Sequence, residues 1–368
     1  MATPDTPPEA IPQAEDGSGT PEAPVVAGAA IVADVAPDAG RRGKFAGRRG
    51  KFALLAVLVL AVHIFVLIGG LYMITRKPIT DLPFPGISNA KLPQYVFSIY
   101  GVSRPIGVAV SPSGDRIYVT ESDGDRSVKV FDAKGNPVAT LRPPKDQTDH
   151  QPVYLALEPQ SGDVYVSDRP SGSIFVYTRD GKFARAFKPQ PPIKGWQPLG
   201  LAFSPQGDLW VVDLSSPFQR IEVFGLDGTL KKTLGKPDQF NFPNMVAFDA
   251  RDNVYVTDSN NGRVVVLDQS GKQLATINRG VSDGDLGLPR GVAIDDTGRL
   301  YVVDATAHSV QVYLVGTDKN ARPKYVGTIG EEGLQEGEFE YPNGVAVDTR
   351  ARIYVTDREN NRVQVWSY

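Results

Sequence analysis

The chain reads PNMVAFDARDNVYVTDSNNGRVVVLD over residues 243–268, and variants of this stretch recur through its C-terminal part. Runs of Val, Ile, Tyr and Phe separated by Gly, Asn, Asp and Ser are typical of short strands joined by tight turns. The leading prolines of six copies are 47, 46, 45, 46 and 53 residues apart, at Pro105, Pro152, Pro198, Pro243, Pro289 and Pro342. A nearly fixed period of this size, built from short strands, indicates a radial repeat architecture.

Each copy predicts four antiparallel strands. In the copy that begins at Pro243, the segments MVAFD, VYVTD, RVVVLD and QLATI are separated by the turns ARDN, SNNG and QSGK. Four strands in about 46 residues make one propeller blade, and six blades lie within the usual range of four to eight. We therefore predict an all-β fold, a six-bladed β-propeller with four-stranded blades over residues 95–368.

The last copy lacks its fourth strand, since the sequence ends at Tyr368 directly after the third strand VQVWS. A replacement is present before the first copy, where Tyr95–Gly101 reads YVFSIYG. Because an unpaired sheet edge promotes aggregation, we predict that this N-terminal strand pairs with the strand ending in Trp366 and closes the ring. The alternative is an open solenoid of six sheets.

The repeats resemble a known family. Two stretches resemble NHL repeats. One is the stretch quoted first, and the other is PNGVAVDTRARIYVTDRENNRVQVW over residues 342–366. The run GEEGLQEGEFEYPNGVAVD (Gly330–Asp348) resembles the GxxGxxxGxFxxPxGVAVD pattern that joins blades in that family. The resemblance is looser in the first three copies, and it implies a six-bladed propeller. Family members include enzymes, sensors and scaffolds, so the fold leaves the function open.

Two segments of biased composition precede the repeats. Residues 1–40 contain seven prolines, seven acidic residues and no Lys or Arg, a composition that predicts a disordered tail. Residues 41–52 form a basic juxtamembrane segment, which lies within two tandem copies of GRRGKFA at Gly40–Ala46 and Gly47–Ala53. Attraction to anionic lipid headgroups contributes about 1 kcal/mol per basic residue beside a membrane, so we expect an anionic lipid surface as a partner here.

A hydrophobic segment follows, ALLAVLVLAVHIFVLIGGLYMI over residues 53–74, without any charged residue. A helix of this length is about 33 Å long and crosses a bilayer core. We predict one transmembrane α-helix at 53–75, a Pro-rich linker at 76–94 and an N-terminus in the cytoplasm, since more basic residues precede the span than follow it. The protein is then a single-pass protein of the cytoplasmic membrane with an extracytoplasmic propeller, and the absence of N-x-[ST] sequons favours a bacterial envelope.

Composition excludes several classes of function. Residues 78–368 hold nearly equal numbers of basic and acidic side chains, which argues against nucleic acid as a partner. The chain has no cysteine, so disulfides and thiolate metal sites are impossible.

We predict a structural role for six acids at the ends of the second strands, because Asp accepts backbone N–H bonds in turns. They are Glu121, Asp168, Asp213, Asp258, Asp304 and Asp357.

Metal chemistry is disfavoured at the start of the inner strands. The gluconolactonase and regucalcin family, which is similar in fold, places metal-binding carboxylates and amides there. The matching residues follow the leading prolines and are Ile106, Val153, Leu199, Asn244, Arg290 and Asn343. This set has no carboxylate, whereas hard divalent cations prefer several oxygen ligands. The two histidines outside the span, His150 and His308, lack a third ligand for zinc, so we predict no metal, no cofactor and no catalytic residue.

The remaining interpretation is a binding site at the mouth of the central channel. Asn244, Arg290, Asn343 and Trp196 are the predicted ligand-binding residues, because an apolar surface with a few convergent polar groups and an Arg is common in binding sites. We predict a membrane-anchored, extracytoplasmic binding or scaffold protein that recognises a peptide, protein or glycan. The alternatives are a metal-dependent hydrolase or lyase of the gluconolactonase-like class and an envelope-assembly scaffold acting through the outer rim.

Overall fold

The computed structural model describes residues 91–144, 149–215, 217–316 and 322–368. They form six four-stranded antiparallel sheets, the blades, numbered 1 to 6 from the copy that begins at Pro105. The predicted tail (1–40), basic segment (41–52), transmembrane helix (53–75) and most of the linker (76–94) lie outside the described residues. Among the described residues, no helix has the length and apolar character that a membrane crossing requires.

The first two strands of each blade follow the repeat. The inner strands are β2 (Pro105–Val110), β6 (Pro152–Leu157), β10 (Pro198–Phe203), β14 (Pro243–Phe248), β18 (Pro289–Ile294) and β22 (Pro342–Val347). The second strands are β3 (Arg116–Glu121), β7 (Val164–Asp168), β11 (Leu209–Asp213), β15 (Val254–Asp258), β19 (Arg299–Asp304) and β23 (Ile353–Asp357). The leading prolines therefore open the inner strands, where a missing N–H is tolerated.

The third and outer strands complete the blades. The third strands are β4 (Val128–Asp132), β8 (Ser173–Tyr177), β12 (Arg220–Phe224), β16 (Arg263–Leu267), β20 (Ser309–Leu314) and β24 (Arg362–Ser367). The outer strands are β5 (Pro137–Leu141), β9 (Phe183–Phe187), β13 (Leu230–Leu234), β17 (Gln273–Ile277), β21 (Lys324–Ile329) and β1 (Gln94–Ile99). One 3-10 turn, Ser259–Asn261, follows β15.

The hydrophobic core lies between neighbouring blades. Every residue of β15 is buried, because neighbouring blades cover both faces of this second strand. Short continuous apolar runs of this kind are typical of fully covered strands. The outer strands are more exposed, as in β13 (LKKTL), in which only Leu234 is buried. The blades therefore stack face to face around the channel, and their inner strands form its wall.

The N-terminal strand closes the ring as predicted. β1 pairs antiparallel with β24, from Gln94 opposite Ser367 to Ile99 opposite Val363. Trp366 packs edge-on against Tyr95 at 6.0 Å and stacks on Phe339 at 5.7 Å. The inner strands β2 and β22 also contact each other, so the circle of blades is complete. The observed strand ends at Ile99, two residues before the predicted limit.

The acids that end the second strands are architectural. All six are buried, and each accepts a backbone N–H from the segment that joins the preceding blade. Asp258 Oδ1 receives the N–H of Asn241 at 2.7 Å, and Asp258 Oδ2 pairs with Arg263 at 2.7 Å. Arg362 pairs in the same way with Asp357, at 2.7 Å. This confirms the structural role predicted for these carboxylates.

The strand order defines two faces of the ring. Inner strands begin, and second strands end, on the same side, so the joins between blades and the turns after the second strands share it. We call this side the mouth face. The other side carries the turns between first and second strands, for example residues 111–115 and 158–163, and we call it the turn face.

Candidate binding site at the channel mouth

The six residues that follow the leading prolines surround the channel at the mouth face. In blades 1 to 3 they are apolar, and Val153 and Leu199 are buried. In blades 4 to 6 they are polar: Asn244 is buried, whereas Arg290 and Asn343 are half-buried. The mouth therefore has an apolar half in blades 1 to 3 and a polar half in blades 4 to 6.

Tyr154 connects the two halves across the channel. It belongs to blade 2, and its hydroxyl lies 3.0 Å from Asn244 Oδ1 in blade 4 and 2.7 Å from Asn343 Oδ1 in blade 6. Burial raises the pKa of Tyr154, although Arg290 and Arg358 oppose this rise. The phenol is therefore neutral at physiological pH and remains a hydrogen-bond donor.

The two side-chain amides that contact the Tyr154 hydroxyl differ in how firmly other hydrogen bonds hold them. Asn244 donates its amino group to Ser259 Oγ at 2.7 Å and to the Phe242 carbonyl at 3.2 Å, so its Oδ1 is directed at the phenol. A phenol has one proton to donate. Asn343 makes no other side-chain hydrogen bond among the described residues, so its amide can turn and serve a ligand.

Arg290 is held weakly beside this trio. Its Nη1 lies 3.5 Å from Asn244 Oδ1, and its Cζ lies 5.9 Å from the centre of the Phe242 ring. Within the described residues it has no carboxylate partner. A guanidinium group carries five N–H donors in a planar fork, so most of the hydrogen-bonding capacity of Arg290 is available to a ligand.

Two further arginines, which the sequence analysis did not select, lie at the mouth face. Arg104 and Arg358 share a single carboxylate, with Nη2 and Nη1 lying 2.5 and 2.8 Å from Glu359 Oε1. Burial lowers the pKa of Arg358, and Arg104 and Arg290 lower it further, whereas Glu359 raises it. The Nε of Arg104 is buried and has no hydrogen-bond partner within the described part of the chain. Positive charge is therefore in excess here.

Trp196 lies apart from the other three predicted residues. It packs edge-on against Phe224, 5.5 Å between ring centres, and its Nε1 is buried with no hydrogen-bond partner in the segments that the structure describes. It lines a separate hollow of about 490 Å³ together with Arg169 and Leu199. Within the described segments, no hydrogen bond or ring contact joins Trp196 to Asn244, so its role in binding stays a prediction.

The aromatic residues of the joins divide into two groups. Phe240 is buried in the core between blades. Tyr341 is 46% exposed on the mouth face, where its ring lies 4.6 Å from that of His308. Two aliphatic side chains at equivalent places in consecutive joins are even more exposed, Val281 at 104% and Leu334 at 74%. The mouth face of blades 4 to 6 therefore combines free apolar groups with the arginines.

One group of possible metal ligands occurs at the same face. Ligand atoms of His308, Glu332 and Glu340 lie within 4.8 Å of one another. The backbone N–H of Tyr341 donates to His308 Nδ1 at 3.3 Å, which places the proton of a neutral imidazole on Nε2. The sequence analysis counted only imidazoles and did not foresee that the join of blade 6 would bring two carboxylates to His308.

Signals for the missed residues are present in the aligned copies. Tyr154 occupies a position that is glycine in four copies, where neighbouring inner strands approach closely. A Cβ added at Gly200 would lie 1.8 Å from the Asn244 carbonyl oxygen. A tyrosine at this position is therefore exceptional and marks a local change in the ring. Arg358 could be recognised as a charge in the turn after a second strand, a turn that lies on the mouth face.

The repeats match a known family model. The model of the NHL repeat matches residues 240–267, 286–313 and 339–366, which lie in blades 4, 5 and 6. The chain therefore carries NHL repeats, and the structure arranges them with three looser copies in one six-bladed propeller. Propellers of this kind are typical of protein-binding scaffolds.

Relatives are similar over parts of their length. NHL repeat-containing protein 3 of Homo sapiens is 23% identical over 219 residues, which cover 58% of this chain and 50% of the human protein. Protein brain tumor of Drosophila melanogaster is 30% identical over 131 residues, which cover 35% of this chain and 12% of that protein. The chain thus spans about half the length of the human relative.

Among solved structures, a streptogramin B lyase is similar in fold. It superposes with a TM-score of 0.55 at 15% sequence identity, over 76% of this chain and 99% of the lyase. At this identity the likeness shows the fold alone.

Proposed function

We propose that this chain is a membrane-anchored binding protein whose propeller lies outside the cytoplasmic membrane and recognises a peptide, protein or glycan at the mouth face. One observation carries the proposal: three arginines lie around the mouth, and Glu359 is the one carboxylate bonded to any of them among the described residues. Arginine forms paired, charge-assisted bonds with carboxylates and with carbonyl-bearing groups. The ligand therefore presents an acidic or carbonyl-bearing group to Arg290.

The exposed apolar residues extend this surface. Tyr341, Leu334 and Val281 lie in the joins of blades 5 and 6, on the same face as the arginines. Aromatic and arginine side chains together are enriched among the residues that dominate binding energy in interfaces. The apolar group supplies contact area, and the arginine cluster orients the partner.

Site-specific crosslinking tests the choice of face. A photoreactive phenylalanine analogue at Tyr341 is expected to capture a partner in native membranes. The matched control is the same analogue at Phe183, which is 42% exposed on an outer strand. Adducts formed at Phe183 and not at Tyr341 would support a scaffold acting through the outer rim and contradict the mouth-face proposal.

The membrane anchor rests on the apolar stretch at residues 53–75. Protease added to intact spheroplasts is expected to digest the propeller and to spare the first 75 or so residues, because only the propeller is outside the membrane. A propeller that resists protease until the membrane is lysed would show that the orientation is wrong.

A metal-dependent hydrolase is the second candidate, favoured by the His308, Glu332 and Glu340 group. Imidazole with two carboxylates suits Zn²⁺. Under this alternative, the purified chain binds one equivalent of Zn²⁺, and His308→Gln abolishes both the binding and any chelator-sensitive hydrolysis of a lactone. A binding protein without such chemistry shows neither.

A further inference from the structure

A cavity of about 710 Å³ occupies the opposite end of the channel. The inner strands of all six blades contribute to its wall. Their last apolar residues line it, at Val110, Leu157, Phe203, Phe248, Ile294 and Val347. Pockets of 300 to about 1,000 Å³ with mainly apolar walls are those that hold small molecules in proteins. The size and lining of this cavity therefore suit a small ligand with an apolar body.

The cavity opens on the turn face. Residues 111–113 and 159–162, in the turns between first and second strands, lie at its edge. At the other end, Tyr154 crosses the channel from blade 2 to Asn244 and Asn343. Neither Tyr154 nor any of the six mouth residues lines the cavity. The mouth residues and the cavity residues are thus two separate sets along the channel.

One tyrosine hydroxyl at the cavity has no hydrogen-bond partner among the described residues. Tyr118 lines the cavity and is only 4% exposed, yet its hydroxyl makes no hydrogen bond to any described residue. The matching tyrosines of blades 4 to 6 are satisfied. Their hydroxyls lie 3.3, 2.9 and 3.1 Å from carboxylates in the pairs Tyr255–Asp249, Tyr301–Asp295 and Tyr354–Asp348. The Tyr118 hydroxyl is therefore a free donor that a ligand atom in the cavity can accept from.

The sequence explains why Tyr118 differs. Where blades 4 to 6 have an aspartate after the inner strand, blade 1 has Ser111. The Ser111 hydroxyl is occupied, since it donates to Asp115 Oδ1 at 2.6 Å. The carboxylate that holds the tyrosine in other blades is therefore missing from blade 1, and an external carboxylate can take its place.

Two cationic and two acidic side chains lie at the edge of the cavity, and the acidic ones already have hydrogen-bonding partners in the neighbouring turns. Arg116 and Arg179 both line it, and neither has a carboxylate partner among the described residues. Burial raises the pKa of Tyr118, Arg116 and Arg179 oppose the rise, and Asp115 adds to it. The lining acids are already engaged: Asp115 accepts from Ser111 and Ser113, and Glu158 accepts from the backbone of residues 160 and 161.

We propose that this cavity binds an amphipathic carboxylate, a small molecule with an apolar body and a single carboxylate head. The apolar body lies among the inner strands of the six blades. The head accepts hydrogen bonds from the Tyr118 hydroxyl and from the guanidinium groups of Arg116 and Arg179. These contacts use donors that have no carboxylate partner among the described residues, the Tyr118 hydroxyl and two guanidinium groups.

The test uses 5-phenylvalerate as the probe and the full chain in lipid nanodiscs, with empty nanodiscs as the blank. Equilibrium dialysis is expected to show saturable binding of one probe per chain. Because a hydrogen bond to a charged group is lost, Tyr118→Phe and Arg179→Gln should each weaken binding about tenfold. The alcohol and the amine of the same skeleton, 5-phenylpentan-1-ol and 5-phenylpentylamine, should bind more weakly.

Two controls make the outcome decisive. Tyr255→Phe removes the same atom from a tyrosine outside the cavity, and Arg142→Gln removes an exposed charge that pairs with Asp125. Both variants should bind the probe as the wild type does. The proposal is overturned if the wild type shows no saturable binding, if the amine binds as tightly as the carboxylate, or if Tyr255→Phe weakens binding as much as Tyr118→Phe.

Discussion

The two ends of the channel are built by the same six strands and have opposite chemistry. At the mouth end, the second residue of each inner strand contributes two amides, a guanidinium and three apolar groups, and Tyr154 crosses between them. At the turn-face end, the sixth residue of every inner strand is apolar, and the space between them is a cavity of about 710 Å³. One repeated strand therefore supplies a polar, bridged site and an apolar, hollow one.

The difference shows how a repeat protein separates architecture from function. The acids at the ends of the second strands are equivalent in every blade, because each blade needs them to hold the preceding join. Departures from the repeat mark the candidate sites. Tyr154 replaces a glycine, and Ser111 replaces an aspartate. Each substitution changes one end of the channel and leaves the strands intact.

The largest expected effect concerns the ring that both ends share. Deleting residues 91–101 removes β1 and leaves β24 with an unpaired edge, so the chain should aggregate and lose cooperative unfolding. Size-exclusion chromatography and thermal unfolding measure this. Deleting residues 1–40 is the control and should change neither. A monomer with unchanged melting after loss of β1 would refute closure by this strand.

The next effect concerns the turn face of blade 6. Asp348 is buried and accepts bonds from Tyr354 and from the Arg352 guanidinium at 2.8 Å. Replacing it by alanine leaves these donors without a partner and should lower the free energy of unfolding by about 3 kcal/mol. Urea unfolding measures the loss. Asp296→Ala, at an exposed position in the matching turn of blade 5, should change stability by less than about 0.5 kcal/mol.

The contribution of Asp348 to the free energy of unfolding depends on pH in a defined direction. Burial raises the pKa of Asp348, but hydrogen bonds from the backbone and side chain of Arg352 lower it more, so the net shift is downward. A carboxyl with a lowered folded-state pKa stabilises the protein above its unfolded pKa of about 4 and loses that contribution as the pH falls. The stability difference between wild type and Asp348→Asn should therefore shrink below pH 4. A difference that grows on acidification would contradict this assignment.

A smaller effect concerns Tyr154, the side chain that crosses the mouth end. Tyr154→Phe keeps the ring but leaves buried Asn244 Oδ1 without its phenol donor, so unfolding should cost about 2 kcal/mol less. Tyr177→Phe is the matched control, because its hydroxyl has no hydrogen bond among the described residues. Equal losses in the two variants would show that the bridge contributes nothing.

The fold was predictable because the repeat encodes it at several levels. The period set the number of blades, and the runs of Val, Ile and Tyr set the strands. The missing fourth strand of the last copy identified β1, which the pairing of Gln94 with Ser367 confirms. In the structure, Arg263 and Arg362 pair with the acids of the second strands, since each stands at the start of a third strand, opposite the acid.

The site was predictable only in part. The mouth positions could be identified, because they follow the leading prolines in each copy. Arg358 and Tyr154 were missed, since their proximity to Arg290 depends on how side chains from different blades converge across the ring. The group at His308 was missed because its carboxylates come from the following join. The cavity depends on the radius of the closed ring, which a linear pattern does not specify.

The most direct test of the central claim is the affinity of the propeller for its mouth-face partner, measured after the crosslinking experiment has identified that partner. Arg290→Ala should weaken binding about tenfold, since it removes charge-assisted hydrogen bonds, and should leave the melting temperature unchanged. Arg179→Ala, an arginine on the turn face, should bind the partner as the wild type does. Full-strength binding by Arg290→Ala, or equal weakening by Arg179→Ala, would contradict a binding site at the channel mouth.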